Sequence, residues 1–470
     1  GLPVLNNAGT LKKTGGTGTS AFGSVVNNDG TLDVQSGTVN LVAGGDSHGT
    51  FNAVSGATLN FGGGTMTLET NSTVSAAGTV SFSGATVDVN GSYGVSGSTV
   101  ISGGTANFNG SASTANGTLS GGTLSGSGVL TVGGVMTWTG GSMNGSGATT
   151  IGSGGSLAIS GGGVKGFVQR TINNSGTLSW SGGDFNSGQG ATINNQAGGV
   201  FDLQGDQAWN YNQGGGLPVL NNAGTLKKTG GTGTSAFGSV VNNDGTLDVQ
   251  SGTVNLVGST FSNGLTGVIQ GSGTVDVSHT TFTTDGQFSP GNPLGALLIT
   301  GNLPQSTNGV INIQIGGTNA GVNYDQLIVT GTAALNGALN ISLVNGFQPV
   351  GGDTFEVIKY ASHTDSFDNI SGLDLGGGFY LEPTFSGTNL VLTTIDNRPR
   401  PQFSLPQRLP NGDIHITLTG VAGQTFVVQA TTNFLDWASV LTNVNSGAVF
   451  DLIITDSPVY PYRFYRTFQP

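Results

Sequence analysis

Residues 1–42 return without a change as residues 216–257. A shared fold tolerates substitution at most exposed sites, so identity at every one of these positions marks a duplicated unit. Self-similarity of this kind is the signature of a quasi-one-dimensional array, in which each repeat packs mainly on its neighbours. It points to a built object such as a fibre, stalk or adhesin more than to a compact enzyme. The chain opens inside the pattern, so Gly1, Leu2, Pro3, Val4 and Leu5 form the expected subunit junction. Either further repeats precede them or a neighbouring subunit covers the end, because an uncovered coil presents unpaired N–H and C=O groups.

Inside the unit a shorter period is visible. Asn6-Asn7-Ala8-Gly9-Thr10-Leu11 is echoed by Asn27-Asn28-Asp29-Gly30-Thr31-Leu32. The hexamer returns at Asn173, Asn221 and Asn242, with a looser form at Asn194. A period of roughly 20 residues holding about three short alternating runs is one coil of a parallel β-solenoid. In Thr31-Leu32-Asp33-Val34 the alternation turns Leu32 and Val34 inward and Asp33 outward. Stacking sets like residues above one another, so Leu32 joins an apolar ladder. The Asn pairs are expected to form amide ladders at a corner, where Asn and Gly both tolerate the left-handed conformation. About 13 to 14 coils fit before residue 290, a rod on the order of 65 Å long. Lys13 and Lys228 break the pattern: strict alternation turns them inward, which predicts a bulge or a strand end there.

Composition narrows the class. Glycine supplies 86 of 470 residues, but there is no G-X-Y period and only 14 Pro, which excludes collagen. Recurrent apolar pairs and 8% charged residues exclude a disordered chain. With only Glu69, Glu356 and Glu382 for glutamate, six Lys and six Arg, little helix is expected and the chain reads as all-β. A net charge of -12 without basic clusters argues against nucleic acid as a partner. No run of about 18 apolar residues is present, so no membrane span is expected. The absence of Cys removes disulfides and leaves the compartment open. The chain has no initiator Met or signal peptide, and its composition suits the exterior or surface of a bacterial cell, which suggests a processed or partial chain.

Before Ser289 the only prolines are Pro3 and Pro218, as befits a region whose N–H groups enter ladders. Three sections follow: solenoid repeats over 1–288, an end section with larger coils over 289–396, and a small β-sandwich over 403–470 after a Pro-rich linker. Trp138, Trp180, Phe201 and Trp209 cluster late in the large unit and predict a wider core there. A carbohydrate-stacking platform would instead need Trp180 and Trp209 exposed.

The motifs Asn-Asn-x-Gly-Thr-Leu, Ser289-Pro290-Gly291-Asn292-Pro293-Leu294-Gly295 and Asn323-Tyr324-Asp325-Gln326-Leu327 resemble bacterial autotransporter-associated β-strand repeat proteins over residues 1–395. The resemblance implies a secreted or surface-exposed solenoid, of a kind often without known activity. No outer-membrane barrel follows these motifs. Instead, the stretch 423–433 with Asp436-Trp437 and Arg463-Phe464-Tyr465-Arg466 is similar to immunoglobulin- or fibronectin-type sandwiches of large bacterial surface proteins, which places Pro470 near a natural terminus.

Residues that could carry chemistry are sparse along the chain. Polysaccharide lyases and hydrolases need paired carboxylates, or a base beside an acidic cluster, on one face. Asp33, Asp202 and Asp248 share one repeat position and are expected on a solvated face. Asp365, Asp368 and Asp374 form the nearest cluster and read as loop caps. His48, His279, His363 and His415 lack metal-ligand spacing. No catalytic residue, cofactor or metal is expected. The expected function is a non-enzymatic extracellular rod that self-associates end to end, as a homopolymer or a longer array. An adhesin that binds cell-surface glycans is the alternative, and a secreted polysaccharide-degrading β-helix enzyme is the third reading.

Overall fold

The computed structural model describes residues 1–470 except 421, 424, 445, 446, 456–458, 461, 469 and 470. Part of the 423–433 motif, at Gln424, and the expected terminus at Pro470 therefore lie outside the described residues. The chain divides into two units. The first is Gly1–Gln348 with Thr354–Gly372 and Pro383–Leu392; the second is Pro349–Asp353, Leu373–Glu382 and Thr393–Pro470.

The first unit is a parallel β-solenoid with three strands per coil. Its forty strands up to Gln287–Pro290 include two long ones, Ser92–Ile101 and Ala112–Leu119, that each fill two positions, which makes fourteen coils. Three faces result. Face A starts at Val4–Asn7, face B at Thr10–Lys13 and face C at Thr19–Phe22, and each strand pairs in parallel with its counterpart one coil on. Coil length varies, from the short step that sets Thr105 on Thr123 to the long one that sets Trp209 on Phe237. The extra residues are taken up at corners without breaking the stack.

Alternation places the core as expected. Leu32, Val34, Val39 and Leu41 are buried, and Leu32 stacks on Leu11 and Phe51. Trp138, Phe167, Trp180, Phe185, Phe201 and Trp209 are all fully buried in one aromatic stack, with Trp180 and Phe185 centroids 4.3 Å apart. That is the wider core.

The Asn pairs depart from expectation. They lie in strands, as in Val25–Asn28, rather than at left-handed corners. The second Asn of each pair points inward, and Asn174, Asn195, Asn222, Asn243 and Asn263 form a buried amide ladder on face B, each side chain donating to the next at 2.6–2.8 Å. A primary amide both donates and accepts, so a column of them satisfies itself in the dry interior.

Glycine makes the corner after each pair. A Cβ on Gly245 would stand 2.1 Å from the carbonyl oxygen of Gly224, and one on Gly224 would stand 2.2 Å from that of Gly199. Only a residue without a side chain lets coils stack so closely there.

The duplicate copies do not share a face. Val4–Asn7 lies on face A, whereas Val219–Asn222 continues the face B column from Thr192–Asn195. Thr225–Lys228 follows Val200–Leu203 on face C, and Thr234–Phe237 follows Trp209–Tyr211 on face A. Thirty-one strand positions separate the copies. Ten coils use thirty, and the remaining one moves the second copy a third of a turn around the axis.

Beyond Pro290 the coils enlarge, with Ala296 paired to Gln326 and Val310 to Ala338. In the second unit, Gln402–Phe403, Gln407–Arg408, Ile414–Thr419 and Val449–Ile454 form one antiparallel sheet. Thr425–Thr431 with Ala438–Val444 and Phe464–Phe468 forms another. Ile416, Leu418, Phe426, Val428, Leu452 and Ile454 from the two sheets share one core.

Candidate functional site

The most informative site is the seam between residues 188–211 and the second copy of the duplicated sequence, because the first copy shows the same residues with the preceding coil absent. Lys228 sits mid-ladder, paired to Leu203 and Val249 with no bulge, and is fully buried. Of the two expectations the strand end holds, since Lys228 closes Thr225–Lys228 as Lys13 closes Thr10–Lys13, and the bulge does not. The side chain runs through the apolar interior and its amine ends among oxygens. Nζ donates to Gly205 O at 2.7 Å, Asp206 Oδ1 at 2.8 Å, Gly230 O at 3.0 Å and Ser235 Oγ at 3.1 Å. The Lys228 hydrogen bond holds the Asp206 carboxyl below its usual range. Lys13 keeps only the local bond, to Gly15 O at 2.9 Å.

The amide ladder behaves likewise. Asn195 Nδ2 donates to Asn222 Oδ1 at 2.7 Å and to Thr225 O at 3.1 Å, and Asn221 donates to Asn194 Oδ1 at 2.9 Å. The first-copy pair Asn6 and Asn7 bonds onward, to Asn27 and Asn28. Leu220, Leu226, Ser235 and Phe237 are buried, while Leu5, Leu11 and Phe22 are half-buried and Ser20 is exposed. Nothing approaches within 4 Å of a Cβ built on Gly9, the counterpart of Gly224. Leu11, Lys13, Phe22, Leu32 and Val39 line an open cavity of about 310 Å³ at this end. In the second copy Trp209 packs there instead, its ring 6.2 Å from Phe237. Of the expected junction residues, Gly1, Leu2, Pro3 and Val4 are exposed and Leu5 is half-buried; Pro218 and Leu220 are buried.

Trp180 and Trp209 are fully buried, so neither can serve as a glycan-stacking platform. Their size fills the widened core, and Trp180 Nε1 donates to Gly183 O at 2.8 Å. The expected solvated face is also corrected, since Asp33 is 8% exposed, Asp202 9% and Asp248 4%. They point outward but lie beneath neighbours. Asp33 accepts from Asn52 and Gln35 beside Lys12, and Asp202 accepts from Thr229 and Gln204 beside Lys227. Parallel stacking sets Lys227 between Asp202 and Asp248.

Asp365, Asp368 and Asp374 each accept a separate bond, the first two from Asn336 and Gly337 N about one coil away and the third from the nearby Gly376 N. Among the described residues no group of three His, Cys, Asp or Glu side chains could hold a metal. His48 pairs with Asp29 and His415 with Asp451.

Three buried ionic groups were not singled out by sequence reasoning. Lys165 donates to the carbonyls of Gly161, Gly163 and Gly182, and burial lowers its pKa against the opposing pull of Asp184. Arg170 donates to Thr149 Oγ1, Asn144 O and Ala148 O, and burial lowers its pKa to about 10. Asp325 accepts from Gly295 N and Gln314 N, and burial raises its pKa to about 7. Each bonds to main chain at a corner, which is a stapling role.

No family model and no curated protein matches the chain. Its site must therefore be read from its own geometry, and the internal duplicate is the one comparison that geometry offers.

Proposed function

We propose that the chain is a non-enzymatic extracellular structural protein, a stiff β-solenoid rod that builds a surface fibre by end-to-end association of repeat units within one chain or between chains. One observation carries this reading: the tail of the unit, residues 188–211, is fully bonded to the repeated head sequence, residues 216–237, so units add end to end. Stacked hydrogen-bond ladders, a buried amide column and buried aromatic clusters give axial stiffness, because each internal coil is held by both neighbours. The resemblance to autotransporter-associated repeats supports the extracellular setting. Electron microscopy at rising protein concentration tests the reading. Continuous filaments of solenoid width are expected, and isolated particles at every concentration would contradict it.

A glycan-binding adhesin is the second reading, favoured by a patch other than the solenoid tryptophans. Phe434 is 59% exposed and packs on Phe464 at 3.9 Å, while the Arg466 guanidinium lies 4.2 Å from the Trp437 ring. Exposed aromatic faces of this kind stack on sugar rings.

A further inference from the structure

The duplication supplies a direct image of what the open end accepts. Residues 216–237, identical to 1–22, receive residues 188–211 through Val219 N to Ala191 O, the Asn194 and Asn195 amides, the Lys228 cage and the Trp209 ring. The next coil is equally buried in both copies, Val25–Asn28 matching Val240–Asn243 and Thr38–Leu41 matching Thr253–Leu256. The difference between the copies is therefore confined to the first coil.

We propose that the edge formed by residues 1–22 is a docking surface for a coil carrying the chemistry of residues 188–211, so that its partner is another copy of the unit 1–215. The tail of each unit fits the head of the next. The fit does not depend on which face the strands occupy, since residues 1–22 start on face A and residues 216–237 start on face B. Each added unit therefore turns the pattern by a third of a turn, and three units return it to its starting face after thirty-one coils. A surface feature borne once per unit is then displayed on all three sides of the rod. This inference rests on the end-association reading, and it names the partner coil.

The test places residues 1–215 ahead of Gly1 in the full chain and labels lysines with an amine-reactive reagent. Cleavage before aspartate yields residues 1–28 from the outer end and residues 206–243 from each internal junction, which differ in mass. In the unmodified chain Lys13 should label and Lys228 should label about a hundredfold more slowly, as local opening of a packed coil requires. In the extended chain both junction peptides should be protected at the lysine position, and only the outermost copy should label. Half of the junction peptide labelled at that lysine would overturn the proposal. A shorter extension carrying only residues 148–215 repeats the test with three coils should the longer one not fold. Because the readout is within one chain, it stands whether or not the native chain forms filaments; filaments with an unprotected new junction would sink this inference and leave the function reading standing.

Discussion

Lys13 and Lys228 are the same residue in the same duplicated sequence, and their surroundings differ by one coil. That makes them a matched pair for measuring what the coil contributes. Lys228→Met keeps the apolar stem but removes the amine from Gly230 O, Asp206 Oδ1 and Ser235 Oγ, and leaves Gly205 O with Ser235 alone, at a cost of about 1–3 kcal/mol. Lys13→Met removes one bond at a half-exposed site and should fall within about 0.5 kcal/mol of the parent in denaturant unfolding. Equal costs would mean that the cage contributes nothing. Asp325 gives a pH signature. Its folded pKa, about 7, lies above the ordinary value of 3.8. The folded state thus binds more protons than the unfolded state between those values, so this contribution is fully present below about pH 4 and is lost as pH rises toward 7. Thermal melting followed from pH 4 to 8 should show the decline, and Asp325→Asn should flatten it.

At the scale of strands and corners, the repeat itself dictates where side chains are tolerated. Gly245→Ala must move the stacked corner off Gly224 and should cost about 1–3 kcal/mol, whereas Gly9→Ala at the open end should be nearly neutral by the same unfolding assay. A large loss at Gly9 would show that the corner needs glycine for its own conformation rather than for the neighbour above it. The strands were legible in the sequence because inward positions such as Leu32 and Val39 must be apolar while their neighbours need not be. The aromatic core was legible because Trp180 and Phe201 fall at inward positions of the repeat. Other features left no such mark. Lys165 and Arg170 are satisfied mainly by main-chain oxygens at corners, which composition does not reveal, whereas Lys228 was legible as an inward lysine but its cage was not. The amide ladder of the Asn pairs was legible, but its place was not: it runs inside the strands, as at Asn222 and Asn243, and not at a left-handed corner. Part of the cover over Asp33 and Asp202 comes from Asn52 and Thr229 one coil away, which local sequence could not expose, and part from Gln35 and Gln204 two residues on.

At the scale of the whole solenoid, a non-integral repeat of ten and one third coils is compatible with duplication because the three faces are interchangeable for this sequence. A unit that demanded one particular face would have been misplaced by such an event. Growth by whole units then needs no new interface, since the head and tail chemistry is already present in residues 1–22 and 188–211. Hydrogen–deuterium exchange tests this most directly, because both copies have the same intrinsic exchange rates. Peptides beginning at Gly1 report the first copy, and peptides reaching across Gly215 report the second. In dilute protein the first copy should exchange fast through Phe22 and the second slowly. In the chain extended by residues 1–215 ahead of Gly1, residues 1–22 at the new junction should slow to match residues 216–237. An extended chain in which residues 1–22 at that new junction still exchange freely would contradict the account.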